Sequence, residues 1–218
     1  MTEPIPDNLV SIIGSSYFQP IADLMTRLSG LPTLGENDVQ VSSNENGYSA
    51  SIVLLLVSMF ESYVMRVRYI NRDKIAIKQT SVTKYLQTLY ADFPQINQLI
   101  EVFALRNSIA HNHLWEIDFT WNDELGMNLK NASLEETAGN ADFHNVVDES
   151  TRKTKLLALN IVPIKVGRGE VRKVFNVIWD SLIFLEGKNR NQCYVSHLHV
   201  TFGKNVLLFS DLVNPLNN

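Results

Sequence analysis

The chain has 218 residues, of which 45% are hydrophobic and 19% charged, and its formal net charge is −4. These values suit one folded domain over residues 1–218. They exclude a global positive field that would attract nucleic acid, so any RNA contact requires a local basic patch. Cys193 is the only cysteine, which excludes an internal disulfide framework and fits a reducing compartment.

Signals for export or membrane insertion are weak. The first residues, MTEPIPDNLV, contain no basic region followed by an apolar stretch, so no signal peptide is expected. The most apolar run, residues 50–60, is interrupted by two serines and is shorter than a membrane-spanning helix requires. We therefore expect a soluble, cytoplasmic protein that has no membrane partner.

Short helices are predicted in an N-terminal lead-in, residues 1–47. Pro20 suits the first turn of a helix that runs to Leu28, and Gly30 is placed to end it. The polar residues 35–47 then predict a loop.

Two helices are predicted next. Apolar residues spaced three and four apart predict a long helix over residues 49–70. Thr80 or Ser81 is placed to cap a shorter helix that continues to about Tyr90.

A third helix of this region contains the stretch RNSIAHNH, residues 106–113. Asp92 lies near its predicted cap and Pro94 in its first turn, and we expect the helix to end near Trp115.

The pattern then changes to short strands and irregular chain. Alternating apolar residues predict a strand over 117–121 that returns over 125–129. Residues 131–155 are polar and aperiodic, which predicts a mobile surface excursion. Residues 156–166 are expected to be extended, since Pro163 disfavours a helix.

The C-terminal region is predicted to contain one more helix and a hairpin. The helix covers residues 169–185 and ends at Gly187, and the hairpin turns around residues 203–205. The predicted fold is therefore mainly α, a helical bundle with small β-hairpin additions.

The polar cluster in RNSIAHNH has a defined geometry on a helix. At about 100° per residue, Asn107 and His111 share one face, and Arg106 and His113 share another. Ala110 lies between the two pairs and leaves room for a neighbouring chain or a ligand. A structural role is one interpretation, because Arg and His near a helix C-terminus interact favourably with its dipole. A reaction site is the other.

The series Arg106-Asn107-x-x-x-His111 resembles the R-x(4–6)-H motif of HEPN domains, in which a polar residue often follows the arginine. The resemblance covers a core of about residues 49–116 and 168–187. The 117–166 insertion and the 192–210 hairpin lie outside it.

The resemblance implies a metal-independent endoribonuclease without a cofactor, acting as a homodimer with a composite Arg/His cleft. His111 would transfer protons, Arg106 would bind the phosphate, and Asn107 would orient the histidine or donate to the phosphate. The products would carry 2′,3′-cyclic phosphate and 5′-hydroxyl ends. The family also suggests a toxin or antiphage effector with an antitoxin or regulatory partner, and the alternative is a non-catalytic module that binds RNA or protein.

Two further residues have a supporting role in this hypothesis. Glu61, an acidic residue of the preceding helix, is a candidate partner for Arg106, or else an exposed carboxylate paired with a nearby arginine. His113 stands where one HEPN toxin branch has tyrosine, so it is either a second proton carrier, a phosphate ligand or an exposed histidine without a function.

Basic residues could form a local surface that guides RNA, although a solvated helical face is the default for each. One group lies at the start of the last helix and a second on the long helix. The candidates for this surface are Arg66, Arg168, Arg172 and Lys173.

A metal site is an alternative hypothesis to RNA cleavage or binding. His197 and His199, two residues apart on a strand, could join His111 and His113 as nitrogen ligands, with Glu116 or Cys193 nearby. The spacing matches no recognised zinc pattern, so no metal is expected.

Overall fold

A computed structural model describes residues 11–33, 45–73, 81–110, 114–122, 126–136 and 141–217. The described chain is mostly helical, and its strands form three two-stranded antiparallel pairs. The predicted fold class, mainly α with small β-hairpin additions, is confirmed.

The lead-in forms a 3-10 turn at Ile13–Ser16 and helix α1, Phe18–Ser29. Gly30 caps α1 through its backbone N–H, which donates to carbonyls of the last turn. Ile21, Met25 and Leu28 are fully buried, so one face of α1 belongs to the core. The predicted helix and its stop at Gly30 are confirmed.

Helix α2, Glu45–Ile70, is the central helix and contacts α1 and three helices that follow later in the chain. It begins four residues before the predicted start. Asn46 donates from its side chain to the carbonyl of Val166, and Glu45 accepts from the backbone N–H of Arg168. These distant contacts extend the helix into sequence that looks like loop. Residues 34–44, the rest of the predicted loop, lie outside the described residues.

The length and apolar character of α2 would also allow it to cross a membrane. Half of its apolar window is buried against the rest of the fold. Ile52, Leu56 and Phe60 are among its fully buried residues. These residues make α2 part of the hydrophobic core of the described fold.

Helix α3, Val82–Leu89, starts as predicted at Ser81, whose Oγ accepts a hydrogen bond from the backbone N–H of Lys84. Helix α4, Ile96–Ala110, starts after Pro94 but does not extend to Trp115. Strand β1, Leu114–Asn122, has already begun there. Its aromatic and β-branched alternation favours a strand over continuation of the helix, so the predicted helix end was wrong.

Strand β2, Gly126–Glu136, returns antiparallel to β1, which confirms the hairpin but makes it longer than predicted. Helix α5, Ala141–Val146, and the short strands β3, Val147–Asp148, and β4, Lys153–Thr154, follow.

The prediction of a mobile surface excursion over residues 131–155 was wrong for the described parts, 131–136 and 141–155, which contain the end of β2, α5, β3 and β4. Phe143 and Val147 are buried and pack with Ala104 of α4 and with Ile161. A few apolar anchors in a polar stretch are therefore enough to fix this segment on the helix that carries Arg106. The next residues, 156–166, are partly irregular and contain a 3-10 turn at Pro163–Lys165.

Helix α6, Arg168–Lys188, continues past Gly187, which we expected to end it. The cap is Asn189, whose backbone N–H donates to the carbonyl of Leu185. Gly187 is exposed in the last turn, where its weak helix propensity is outweighed by packing of the preceding turns.

The C-terminal hairpin is confirmed. Strand β5, His199–Phe202, pairs with β6, Asn205–Leu208. Gly203 turns the chain with φ of 62°, a left-handed conformation that favours glycine. A 3-10 segment, Phe209–Asn217, follows, and the ring of Phe209 packs on Phe18 of α1.

Candidate functional site

An ion pair joins α2 to α4 at the predicted site. The Nη2 atom of Arg106 donates to Oε1 of Glu61 at 2.8 Å. The two side chains keep 24% and 34% of their surface exposed. The expected pairing of Glu61 with Arg106 is confirmed, and the pair lies at the protein surface.

The ring of Phe103 gives Arg106 a second contact. The guanidinium carbon lies 5.5 Å from the ring centre, which is within range of a cation–π attraction. A guanidinium has five N–H donors. The bond to Glu61 therefore holds the group in place and still leaves donors for a phosphate oxygen.

The two residues after Arg106 face different surroundings. Asn107 is half-buried beside the arginine. Ser108 is buried, and its hydroxyl donates to the backbone carbonyl of Ile161. Ser108 thus attaches α4 to the segment before α6, a role that its position within the motif did not reveal.

His111 and His113 lie outside the described residues. They stand in the sequence between Ala110, the exposed last residue of α4, and Leu114, the first residue of β1. The predicted pairing of His111 with Asn107 and of His113 with Arg106 on shared helix faces therefore stays a prediction.

Arg168 does not belong to a surface that binds RNA. Its side chain is buried and donates to Oγ1 of Thr33 at 2.8 Å and to the carbonyls of Leu28 and Leu31. Glu45 lies beside it, with Nε and Oε1 3.9 Å apart. The expected role was wrong because the lead-in folds back over the start of α6.

The other predicted basic residues are partly accessible. Arg66, Arg172 and Lys173 are all half-buried. The Nζ atom of Lys173 donates to the carbonyl of Ala158 at 3.1 Å. Sequence patterns did not indicate Lys153 and Lys155, which lie in and directly after β4. Lys153 forms a β-bridge with Asn160, two residues after the Ala158 that Lys173 contacts.

Of the histidines considered for a metal, the two in the described part of the chain, His197 and His199, contact neighbouring residues. His197 lies in a turn before β5 and stacks on Tyr194, with ring centres 4.0 Å apart. The Nδ1 atom of His199 contacts the carbonyl of His197. Across the described ranges, no three His, Cys, Asp or Glu side chains form a group that could hold a metal ion.

Cys193 is buried and structural. Its Sγ atom donates to the carbonyl of Leu182. Burial is the main cause that raises the pKa of the thiol to about 12, and the negative charge of Glu186 adds to it. At neutral pH the side chain is therefore a protonated thiol, which is neither a nucleophile nor a metal ligand.

Protein-family models, curated proteins and solved structures were compared with the chain, and none matches it. The likeness to HEPN domains therefore depends on the motif, its place at the end of α4 and the pairing of Arg106 with Glu61.

Proposed function

We propose that this protein is a metal-independent endoribonuclease of the HEPN type. The observation that carries the proposal is the Arg106–Glu61 ion pair, which fixes an accessible guanidinium near the end of the helix from which the chain continues to His111. A fixed cation followed by a histidine supplies the two kinds of group that RNA cleavage without a metal requires.

The chemistry assigns a role to each residue of the motif. His111 exchanges a proton near neutral pH, as base for the 2′-hydroxyl or as acid for the leaving 5′-oxygen. Arg106 stabilises the negative charge that develops on the phosphorane, since it remains protonated and donates two parallel hydrogen bonds. Asn107 orients the histidine or the phosphate. The products carry 2′,3′-cyclic phosphate and 5′-hydroxyl ends.

One chain supplies one His111, whereas the reaction needs both a base and an acid. We therefore include a homodimer with a composite cleft in the proposal, and His113 is the candidate for a further proton carrier. The biological setting, a cytoplasmic toxin or antiphage effector restrained by an antitoxin or another regulator, follows from the family resemblance alone.

The proposal predicts RNA cleavage in the presence of EDTA. Purified protein is incubated with total RNA beside the variants Arg106→Ala and His111→Ala. We expect each substitution to lower the rate at least about a hundredfold, because each removes a group that acts on the transition state. RNA fragments are followed on denaturing gels.

Two control variants match these changes outside the site. Arg72→Ala removes an exposed arginine just after α2 that stacks on Tyr69, and His144→Ala removes an exposed histidine of α5. Both should cut RNA like the parent. If the controls lose as much activity as the site variants, or if EDTA alone stops cleavage, the proposal fails.

The second candidate function is a non-catalytic module that binds RNA or protein. The same ion pair also fits this function, because Glu61 takes up a hydrogen-bond donor of Arg106. A purely structural ion pair would have the same geometry. RNA binding without cleavage by the parent at all protein concentrations would select this candidate.

A further inference from the structure

The residues 151–173, called the basic segment here, concentrate positive charge in an acidic chain. They contain seven of the 19 Lys and Arg residues and one of the 23 Asp and Glu residues, while the whole chain has a net charge of −4. Arg168 is the buried member. The other six form a local field of the opposite sign to that of the whole molecule.

Two buried carboxylates at the basic segment, those of Glu101 and Glu170, accept hydrogen bonds from its backbone. Glu101 of α4 is 1% exposed and accepts from the backbone N–H groups of Leu156 and Leu157 at 2.6 and 2.7 Å. Glu170 of α6 is 6% exposed and accepts from the backbone N–H groups of Asn160 and Gly167 at 3.3 and 2.9 Å. The acids are thus turned inward and hold the loop in shape.

Two lysines of the basic segment are positioned without being neutralised. The Nζ atom of Lys155 donates to the carbonyl of Asn145 at 2.7 Å, and that of Lys173 donates to the carbonyl of Ala158 at 3.1 Å. Lys153 lies in β4 and forms an isolated β-bridge with Asn160. Within the described part of the chain, none of the three pairs with a carboxylate. Each bound ammonium keeps two further donors for an anion.

The basic segment lies against the helix that carries the candidate site. The hydroxyl of Ser108 donates to the carbonyl of Ile161, and Ala104 packs on the same residue. Arg106 lies between these two contacts in the sequence and projects from the other side of α4 toward α2. The basic segment and the Arg106–Glu61 pair therefore lie against two different faces of the same helix.

We propose that Lys153, Lys155 and Lys173 bind the phosphate backbone of the single-stranded RNA on which the Arg106–His111 site acts. The inference rests on the proposed function and adds where the substrate lies. Lysine suits this role, because a flexible point charge contacts phosphates without reading sequence. Positive charge in a segment that α4 contacts also reduces the repulsion between RNA and an acidic protein.

Binding is measured by fluorescence anisotropy of a labelled oligouridine at several salt concentrations in EDTA. Every protein carries His111→Ala, so that the RNA stays intact. The test variant adds Lys153→Gln, Lys155→Gln and Lys173→Gln. The matched control adds Arg27→Gln, Lys84→Gln and Lys204→Gln, three exposed residues elsewhere that change the net charge equally. Circular dichroism checks that both variants are folded.

We expect the test variant to bind at least about tenfold more weakly and to lower the slope of log K against log salt by about 2, as loss of three phosphate contacts on a single strand predicts. The control should bind within about twofold of its parent. The inference is wrong if the two variants lose the same affinity or if the parent does not bind RNA. It is also wrong if polyglutamate competes as well as RNA, a result that would identify an acidic protein as the partner.

Cleavage assays with His111 intact separate the two proposals. If RNA binds through these lysines but is not cut, the proposed catalytic function is wrong and the RNA-binding surface is still supported. Cleavage that is unaffected by the three lysine substitutions at low RNA concentration means that the surface proposal alone is wrong.

Discussion

At the scale of single residues, Arg168 shows how far the environment decides what a charged side chain does. Its guanidinium donates to acceptors from residues 28–33, and its backbone N–H donates to Glu45 at 2.6 Å. An arginine at the first position of an amphipathic helix looks solvated in the sequence. Only the return of the lead-in over α6 buries it, and no local pattern encodes that return.

This burial predicts a large loss of stability for Arg168→Ala. The substitution leaves Glu45 beside an empty site and removes the donors from two buried carbonyls, so the free energy of unfolding should fall by about 3–5 kcal/mol. Asn176→Ala, an exposed change in the same helix, should alter it by less than about 0.5 kcal/mol. Urea unfolding followed by circular dichroism measures both, and a similar small effect for the two would refute the structural role.

At the scale of elements, local signals predicted those parts of the fold that local chemistry determines. Ser81 caps α3 with its own hydroxyl, and Gly203 adopts the left-handed turn of the hairpin, so both could be identified from short patterns. The end of α4 could not, because Leu114 continues the helical spacing and also starts the alternation of β1. The burial of Phe143 could not either, since its partners Ala104 and Ile161 are distant in the sequence.

The candidate site also contains residues that the sequence predicted and residues that it did not. The motif at Arg106 and its pairing with Glu61 were accessible through a family resemblance, which carries long-range information that periodicity lacks. Lys153 and Lys155 were missed, because a polar, aperiodic stretch gives no sign that Glu101 and Glu170 hold its backbone in place.

The junction between α6 and the following chain makes stability depend on pH. Glu186 accepts from the backbone N–H groups of Val195 and Ser196 and from the Ser196 hydroxyl, at 2.6 to 2.9 Å. Burial would raise the pKa of Glu186, but these hydrogen bonds, with a smaller contribution from Arg190, outweigh it and hold the pKa below its usual 4.5. The stabilisation is therefore present above about pH 4.5 and is lost as the pH falls through the lowered pKa.

We expect the free energy of unfolding to fall more steeply between about pH 5 and about pH 3 in the parent than in Glu186→Gln, because only the parent must take up a proton at this site. Glu149→Gln, at a side chain that is 84% exposed, should follow the parent. Denaturant titrations at a series of pH values give the three slopes. Parallel curves for the parent and Glu186→Gln would show that Glu186 does not contribute.

At the scale of the whole molecule, the described chain forms a helical bundle around α2, and the candidate site opens at the surface where α2 and α4 meet. A surface site with one proton carrier per chain is complete only if a second copy faces it. The account therefore predicts a particle of about twice the 24.7 kDa chain mass in light scattering at micromolar concentration. A monomer mass over that range would exclude the composite cleft.

The central claim is that Arg106 and His111 cut RNA without a metal, and the ends of the products test it most directly. RNA cut in EDTA is treated with a phosphatase before and after mild acid, which opens a cyclic phosphate, and the release of phosphate is measured. The account predicts 2′,3′-cyclic phosphate and 5′-hydroxyl ends from the parent, and no such products from Arg106→Ala or His111→Ala. Products with 5′-phosphate ends, or the same cyclic ends from His111→Ala, would contradict it.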